Sequence, residues 1–326
     1  MKKCLLFLFI ISNFCFSQTM WNHLERASLE QSIYNYKGVA QDYNTVIVLD
    51  PNYANAYFGR GNSKYKIKDY YGAIADYNEA IELNPNYIFA YYNRGIAKGR
   101  SEDHYDAIED FTKAIEICPN YSYIYNNRGI AKSMVDDYRG AIEDYNRAIK
   151  LCPLDATAYN NRGNAKYNLG DYNGAIRSYT KAIEINPKYA TAYYNRGNAK
   201  LFNLDDYRGA IEDYNKAIKL DPKNASAYFN RGFAKSMIEN YRGAIEDYNK
   251  AIKLNPSDIL AYIIRGLTKF MLKDYRNASV DYTEAIRLDP NFAKAYYYRG
   301  EVNELLGQLD EAEFDFKKAI TLGYNK

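Results

Sequence analysis

The sequence predicts an all-α protein, a solenoid in which antiparallel helix pairs stack side by side. Proline recurs every 34 residues, with one interval of 35, at positions 51, 85, 119, 153, 187, 222, 256 and 290. An Arg-Gly pair keeps the same spacing from Arg60-Gly61 to Arg299-Gly300. Apolar residues recur at helical spacing within each interval. A two-helix unit copied at a fixed period is the sequence signature of a helical repeat array.

The chain begins with a pattern that is typical of a secretory signal peptide. Lys2 and Lys3 supply the positive charge, residues 4–16 are mostly apolar, and Ser17 offers a small residue for cleavage. The apolar run is too short to span a bilayer, which takes about 20 residues. We therefore expect residues 1–17 to be removed and the mature protein to be secreted or periplasmic. A lipid anchor on one of the two leader cysteines is the weaker alternative.

A degenerate first repeat, or cap, is predicted over residues 18–53, and eight full repeats follow it. The predicted full repeats span residues 54–87, 88–121, 122–155, 156–189, 190–224, 225–258, 259–292 and 293–326. In the fifth, the one with an extra residue near Leu204, an apolar stripe predicts a second helix from about Tyr207 to Leu220. Gly197 lies in the middle of the first helix at a cost of about 1 kcal/mol relative to Ala. This glycine implies that the backbone of a neighbouring helix approaches closely.

The Arg of each Arg-Gly pair has a possible counter-charge in a second helix, either of the same repeat or of a neighbouring one. The second helices carry an Asp column, in which Ser178 is the only exception, at Asp42, Asp76, Asp110, Asp144, Asp213, Asp247, Asp281 and Asp315. We predict that each Arg forms a partly buried, bidentate ion pair with this Asp, which would fix the register of the helices. Solvated charges are the alternative interpretation.

Four further columns complete the pattern of each full repeat. They are an aromatic residue four positions before the Gly, then Ala, aromatic and Ala in the second helix, as in Tyr193, Ala210, Tyr214 and Ala217. This pattern resembles the tetratricopeptide repeat over residues 54–322. It departs from the family in that Arg replaces the usual Leu before the Gly. The resemblance implies a right-handed superhelix whose concave surface, lined by the first helices, binds extended peptides or partner helices.

A ladder of asparagines on the first helices is the candidate peptide-binding site. It comprises Asn93, Asn127, Asn161, Asn195 and Asn230. The flanking aromatic candidates are Tyr92, Tyr194 and Phe229, and an apolar cluster in the seventh repeat comprises Leu260, Ile263, Ile264 and Leu267. An amide side chain both donates and accepts, so the ladder could pair with a peptide backbone irrespective of its sequence. The alternatives are that the amides satisfy neighbouring repeats and that the apolar cluster packs on the last repeat.

No catalytic or metal-binding motif stands out from the repeat. His23 and His104 occupy aromatic columns, and Cys118 and Cys152 occupy equivalent places in successive repeats, where we expect no disulfide. The near balance of 43 Lys and Arg against 40 Asp and Glu gives no reason to expect nucleic acid as a partner. We predict a scaffold without enzymatic activity, cofactor or metal that binds a protein or peptide.

Two sets of alternatives accompany this functional prediction. In place of a protein-binding scaffold, the chain could be a glycan- or small-ligand-binding module of the envelope, or an accessory subunit of an enzyme complex. The molecule is expected to be a monomer, with an end-to-end dimer as the alternative, and peripheral association with the envelope is left open.

Overall fold

The computed structural model describes residues 19–20, 22–28 and 35–324, so the predicted signal peptide lies outside the described residues. The described part is helical and has no strand. After residue 35 the helices are α1 Tyr36–Leu49, α2 Ala54–Lys66, α3 Tyr70–Leu83, α4 Ile88–Arg100, α5 His104–Ile117, α6 Ser122–Met134, α7 Tyr138–Leu151, α8 Ala156–Asn168, α9 Tyr172–Ile185, α10 Ala190–Asn203, α11 Tyr207–Leu220, α12 Ala225–Met237, α13 Tyr241–Leu254, α14 Ile259–Met271, α15 Tyr275–Leu288, α16 Ala293–Leu305 and α17 Leu309–Thr321.

The helices from α2 onward alternate between a first helix and a second helix of each repeat. The first helices, α2 to α16 in even numbers, begin at residues 54, 88, 122, 156, 190, 225, 259 and 293. The chain divides into two compact units, residues 1–165 and 166–326, which we call the N-terminal half and the C-terminal half. Within each half, successive helices pack against one another as antiparallel pairs. The prediction of an all-α array of stacked helix pairs is confirmed.

Local residues begin and end the helices. Asp69 precedes α3 and its side chain accepts a hydrogen bond from the backbone N–H of Gly72 at 3.0 Å, which satisfies a donor of the first turn. At the other end Asn84 is extended, with φ of −139°, because the residue before a proline disfavours the helical region. The second helix of the fifth repeat spans Tyr207–Leu220, as predicted, and the extra residue lengthens α10 to 14 residues.

The core consists of alanines and tyrosines contributed by the repeated columns. Ala210, Tyr214 and most of their equivalents are no more than 3% exposed. The ring of the second aromatic occupies the space beside the glycine of the paired first helix. A Cβ atom on Gly197 would lie 2.8 Å from Cε1 of Tyr214, which is far too close for an unstrained contact. A close neighbour of Gly197 is therefore present, but the prediction of a helix backbone there is wrong, because the approaching group is this tyrosine ring.

The buried tyrosines predict an alkaline limit to stability. Burial raises the pKa of Tyr145 and of Tyr248 from 10.0 to about 12. The folded protein therefore favours the neutral phenol, and this contribution to stability is complete below pH 10 and is lost as the pH rises to about 12. We expect the tyrosinate absorbance of the buried rings to appear only together with the loss of helical circular dichroism, in one cooperative transition above pH 10. Ionisation of every tyrosine near pH 10 with the helices intact would contradict this.

The predicted pairing of the Arg and Asp columns is confirmed. In the third repeat, Nε of Arg128 donates to Oδ2 of Asp144 at 2.9 Å and Nη2 donates to Oδ1 at 2.6 Å. Asp144 is buried, and Nζ of Lys132 lies 2.9 Å from its Oδ2. The guanidinium also lies over the ring of Tyr125. The other bidentate pairs are Arg60–Asp76, Arg94–Asp110, Arg196–Asp213, Arg231–Asp247, Arg265–Asp281 and Arg299–Asp315.

The same guanidinium also joins each repeat to the one before it, which the sequence analysis did not anticipate. Nη1 of Arg128 donates to Oγ1 of Thr112 at 3.0 Å, and Nη1 of Arg231 donates to Oδ1 of Asn215 at 2.7 Å. The acceptors in this column are Asn44, Asn78, Thr112, Asn146, Thr180, Asn215, Asn249 and Thr283. One side chain therefore fixes register both within and between repeats.

The degenerate first repeat keeps this polar arrangement. Nε of Arg26 donates to Oδ2 of Asp42 at 2.8 Å, and Nδ1 of His23 lies 2.9 Å from Oδ1 of the same carboxylate. Arg26 stands 34 residues before Arg60, so the signal was present in the sequence and was missed.

Candidate interaction surface on the first helices

The asparagine ladder forms hydrogen bonds between repeats. Nδ2 of Asn127 donates to the hydroxyl of Tyr92 at 2.7 Å, and Nδ2 of Asn230 donates to Oδ1 of Asn198 at 2.9 Å. The others with a measured partner are Asn93, which donates to Asn62 at 2.7 Å, and Asn161, which donates to Asn126 at 3.2 Å. Asn195 is half-buried. The amides therefore satisfy neighbouring repeats, which is the alternative that the sequence left open, and any contact with a peptide would be additional.

The aromatic residues that precede three of these asparagines pack towards the interior of their own repeats. The ring of Tyr92 lies 5.9 Å from that of Phe111, and the ring of Tyr194 lies 6.0 Å from that of Tyr214. Phe229 likewise lies 5.6 Å from its second-helix partner, Tyr248. All three are half-buried. Each of these three side chains therefore exposes only part of its ring to a partner.

The apolar cluster of the seventh repeat is split by burial. Ile263 is 4% exposed and belongs to the same core cluster as Ala295 and Val302 of the last repeat, and Leu267 packs against that cluster. Ile264 is half-buried, whereas Leu260 is 57% exposed. Packing on the last repeat thus accounts for Ile263 and Leu267, and Leu260 is the member that is accessible to a partner.

Exposed methionines at one register position of the first helices were missed by the sequence analysis. Met134, Met237 and Met271 each end a first helix and are between 47% and 61% exposed. Each stands seven residues after the position of the asparagine column, so it lies on the same face of its helix as that column. On each first helix, the asparagine-column position and the residues three, four and seven positions from it share one face. We call this face of the first helices the first-helix face. The signal was the recurrence of three of the five methionines at one register position.

Two concavities open on the first-helix face of the N-terminal half. One, of 290 Å³, lies between α2 and α4 and is lined by Tyr65, Lys66 and Ile96 among others. The other, of 310 Å³, lies between α4 and α6 and extends from Ile96 to Met134. Because both have Ile96 in their walls, they are adjacent.

The remaining chemistry of the described ranges is sparse. No group of three or more His, Cys, Asp or Glu side chains in them is placed to hold a metal ion. Within the same ranges, no helix combines the length and apolar character that a membrane crossing requires. Cys118 and Cys152 are both free thiols, as expected.

Sequence profiles of the tetratricopeptide repeat match the chain over almost all of the predicted repeats. One, described as TPR repeat, matches residues 136–170, 163–202, 200–237 and 266–307. Three others are each described as Tetratricopeptide repeat. The first matches residues 54–87, 88–121 and 225–258, the second matches residues 111–143, and the third matches residues 293–322. No curated protein matches the chain.

Solved structures show the same fold. The C-terminal part of a TPR repeat-containing protein from Cytophaga hutchinsonii is 21% identical, with a TM-score of 0.61 over 73% of this chain and 97% of that one. The MamA protein is 32% identical, with a TM-score of 0.50 over 51% of this chain and 91% of MamA. YrrB, described as a TPR protein with an unusual peptide-binding site, is 24% identical with a TM-score of 0.50, over 58% of this chain and 96% of YrrB. The chain belongs to the tetratricopeptide repeat family.

Proposed function

We propose that this protein is a non-catalytic scaffold that binds a peptide or an extended segment of a partner protein along the first-helix face. The mature protein carries out this role outside the cytoplasm, after removal of residues 1–17. The molecule acts as a monomer. An end-to-end dimer is the alternative, and it would use the 560 Å³ concavity that Tyr297, Phe316 and Tyr324 form at the last helix pair.

The exposed apolar side chains of the first-helix face carry this proposal. In the N-terminal half Ile130 and Met134 are 39% and 61% exposed, and in the C-terminal half Leu260 and Met271 are 57% and 59% exposed. Exposed apolar residues that cluster on one face mark contact sites. Methionine in particular adapts to varied partners because its side chain is unbranched and polarisable. Balanced surface charge favours protein over nucleic acid as the partner.

The likeness to YrrB gives independent support for a peptide ligand. That protein has a peptide-binding site on the same fold. In the present chain the amide ladder would contribute through Oδ1 as an acceptor and through the second N–H of Nδ2 as a donor, since Nδ2 of Asn93, Asn127 and Asn161 gives one N–H to a bond between repeats. Each such bond adds about 0.5–1.5 kcal/mol.

Paired substitutions with matched exposure test this proposal. Leu260→Glu and Met271→Glu place a charge on the first-helix face, whereas Val280→Glu places the same charge on the second helix α15, where Val280 is 58% exposed. In affinity capture from the compartment that holds the mature protein, we expect the first two variants to lose the partner and Val280→Glu to retain it. Equal capture by all three would exclude the first-helix face. Binding of glycans by the wild type, with no protein partner, would favour the ligand-binding alternative.

A further inference from the structure

An aromatic pair recurs where a first helix meets the second helix of its own repeat. The ring of Tyr65 lies 5.5 Å from that of Tyr70, that of Tyr167 lies 5.3 Å from that of Tyr172, and that of Phe270 lies 5.4 Å from that of Tyr275. In each pair the first ring belongs to the penultimate residue of the first helix, and the second ring belongs to the first residue of the second helix. The ring pair closes the surface at that point.

The second repeat lacks both members of this pair. Gly99 and His104 stand where the first repeat has Tyr65 and Tyr70. A Cβ atom on Gly99 would meet nothing within 4 Å, in contrast to the glycines that face a tyrosine ring. A 310 Å³ concavity lies at this place, and its apolar wall is formed by Ile96, Phe111, Ile130 and Met134. Its volume is at the lower limit for ligand pockets, so it suits one large side chain.

The rim of this concavity is basic. Arg100 and His104 line it, and Lys66 lines the adjoining concavity that shares Ile96. A side-chain hydrogen bond to Tyr65, which lines the adjoining concavity, raises the pKa of Arg100. Among the described residues that line either one, none is Asp or Glu. On α5, Asp106 and Asp110 both pair with Lys98.

We propose that the pocket at Gly99 holds an aromatic side chain of a partner peptide that carries an acidic residue beside that aromatic. This inference rests on the proposed peptide-binding function and names the ligand of one point on the first-helix face. The peptide ring takes the place that Tyr65, Tyr167 and Phe270 fill in their own repeats. Arg100 and Lys66 receive the carboxylate, and the charge attraction weakens with salt because both cations are near solvent.

Binding of short end-capped peptides to the full chain tests the pocket directly. The probes share one polar backbone sequence and have a central Phe flanked by Asp, a central Phe flanked by Lys, or a central Ala flanked by Asp. We expect the Phe–Asp peptide to bind about 10-fold or more tightly than the Ala peptide, because it buries a phenyl ring. We expect it to bind up to about five-fold more tightly than the Phe–Lys peptide, because the ion pair with the peptide carboxylate is close to solvent. Equal affinity for the three peptides would overturn the proposal.

Gly99→Tyr supplies the ring that the second repeat lacks and should fill the pocket from within. We expect its affinity for the Phe–Asp peptide to fall about 10-fold or more. Ser236→Tyr, the same change at the equivalent position of the sixth repeat, is the control and should bind as the wild type does. Arg100→Gln tests the rim without filling the pocket, and it should abolish the preference for Asp over Lys flanks while binding of the ring persists.

The two proposals fail in distinguishable ways. If Gly99→Tyr binds both the native partner and the Phe–Asp peptide with wild-type affinity, the proposed role of the pocket is wrong. Binding along the first-helix face is then judged by the Leu260 and Met271 variants alone. If the wild type binds neither partner nor any of the peptides, the scaffold function is overturned and the pocket with it.

Discussion

Replacing Asp281 by Ala is expected to lower the free energy of unfolding by about 3–5 kcal/mol. Asp281 is fully buried, and it accepts from Nε and Nη2 of Arg265 at 3.0 Å and 2.5 Å. Nζ of Lys269 lies 2.8 Å from the same carboxylate. Without Asp281, two mostly buried cations lose their shared counter-charge, and neither can reach bulk water without leaving its packed position. Urea denaturation followed by circular dichroism measures the loss.

An exposed ion pair on the same helix provides the control. Glu284 pairs with Arg287 at 2.8 Å, and both side chains are exposed to solvent. Exposed pairs of this kind contribute little because water screens them. Glu284→Ala should therefore leave the denaturation midpoint close to that of the wild type. If Asp281→Ala and Glu284→Ala shift the denaturation midpoint equally, then the buried carboxylate does not stabilise the fold more than the exposed one does.

Replacing Tyr214 by Ala is expected to cost a similar amount, about 3–5 kcal/mol, through loss of a buried ring. The ring of Tyr214 is 0% exposed and fills the space beside Gly197. Its hydroxyl donates to Oδ1 of Asn198 at 2.7 Å. Tyr214→Phe keeps the ring and loses this bond, so we expect a smaller loss of about 0.5–1.5 kcal/mol.

Tyr282 separates the contribution of the ring from that of the hydroxyl. It occupies the same column and is equally buried, but its hydroxyl has no hydrogen-bond partner within the described part of the chain. Tyr282→Phe should therefore match or exceed the wild type in thermal stability, since it removes an unsatisfied buried group. A loss as large as that of Tyr214→Phe would show that the Tyr282 hydroxyl has a partner in solution.

The fold could be predicted from the sequence because the pattern of each helix occurs in eight full repeats. A single proline or Arg-Gly pair carries little information, but their shared spacing fixes the repeat and both helices at once. The Arg–Asp pairs were predictable for the same reason, since two columns of opposite charge stand one helix apart in every full repeat except the fourth, where Ser178 replaces the Asp. Single copies remained ambiguous, which is why Arg26 in the degenerate repeat was overlooked.

The candidate site was predicted less completely because side-chain partners depend on how repeats are rotated against each other. Ile263 and Ile264 are adjacent in sequence, yet only Ile263 is almost fully buried. No periodicity within one helix distinguishes them, because the next repeat decides which face is covered. The same holds for Asn127, whose bond to Tyr92 joins two repeats. Gly99 is informative only by comparison with Tyr65 and Tyr167.

The double role of the arginines bears on how such a chain gains or loses length. Every internal repeat has one arginine that donates a hydrogen bond to the repeat before it, and one amide or hydroxyl side chain that accepts a hydrogen bond from the repeat after it. Excising residues 225–258 would present Arg265 with Asn215, a residue of the same type as its present acceptor, Asn249. No charge is stranded by such an excision, and none by a duplication. Duplication or deletion of a whole repeat in the gene therefore preserves the hydrogen bonds between repeats. The number of repeats can change in evolution without substitutions at the contacts between them.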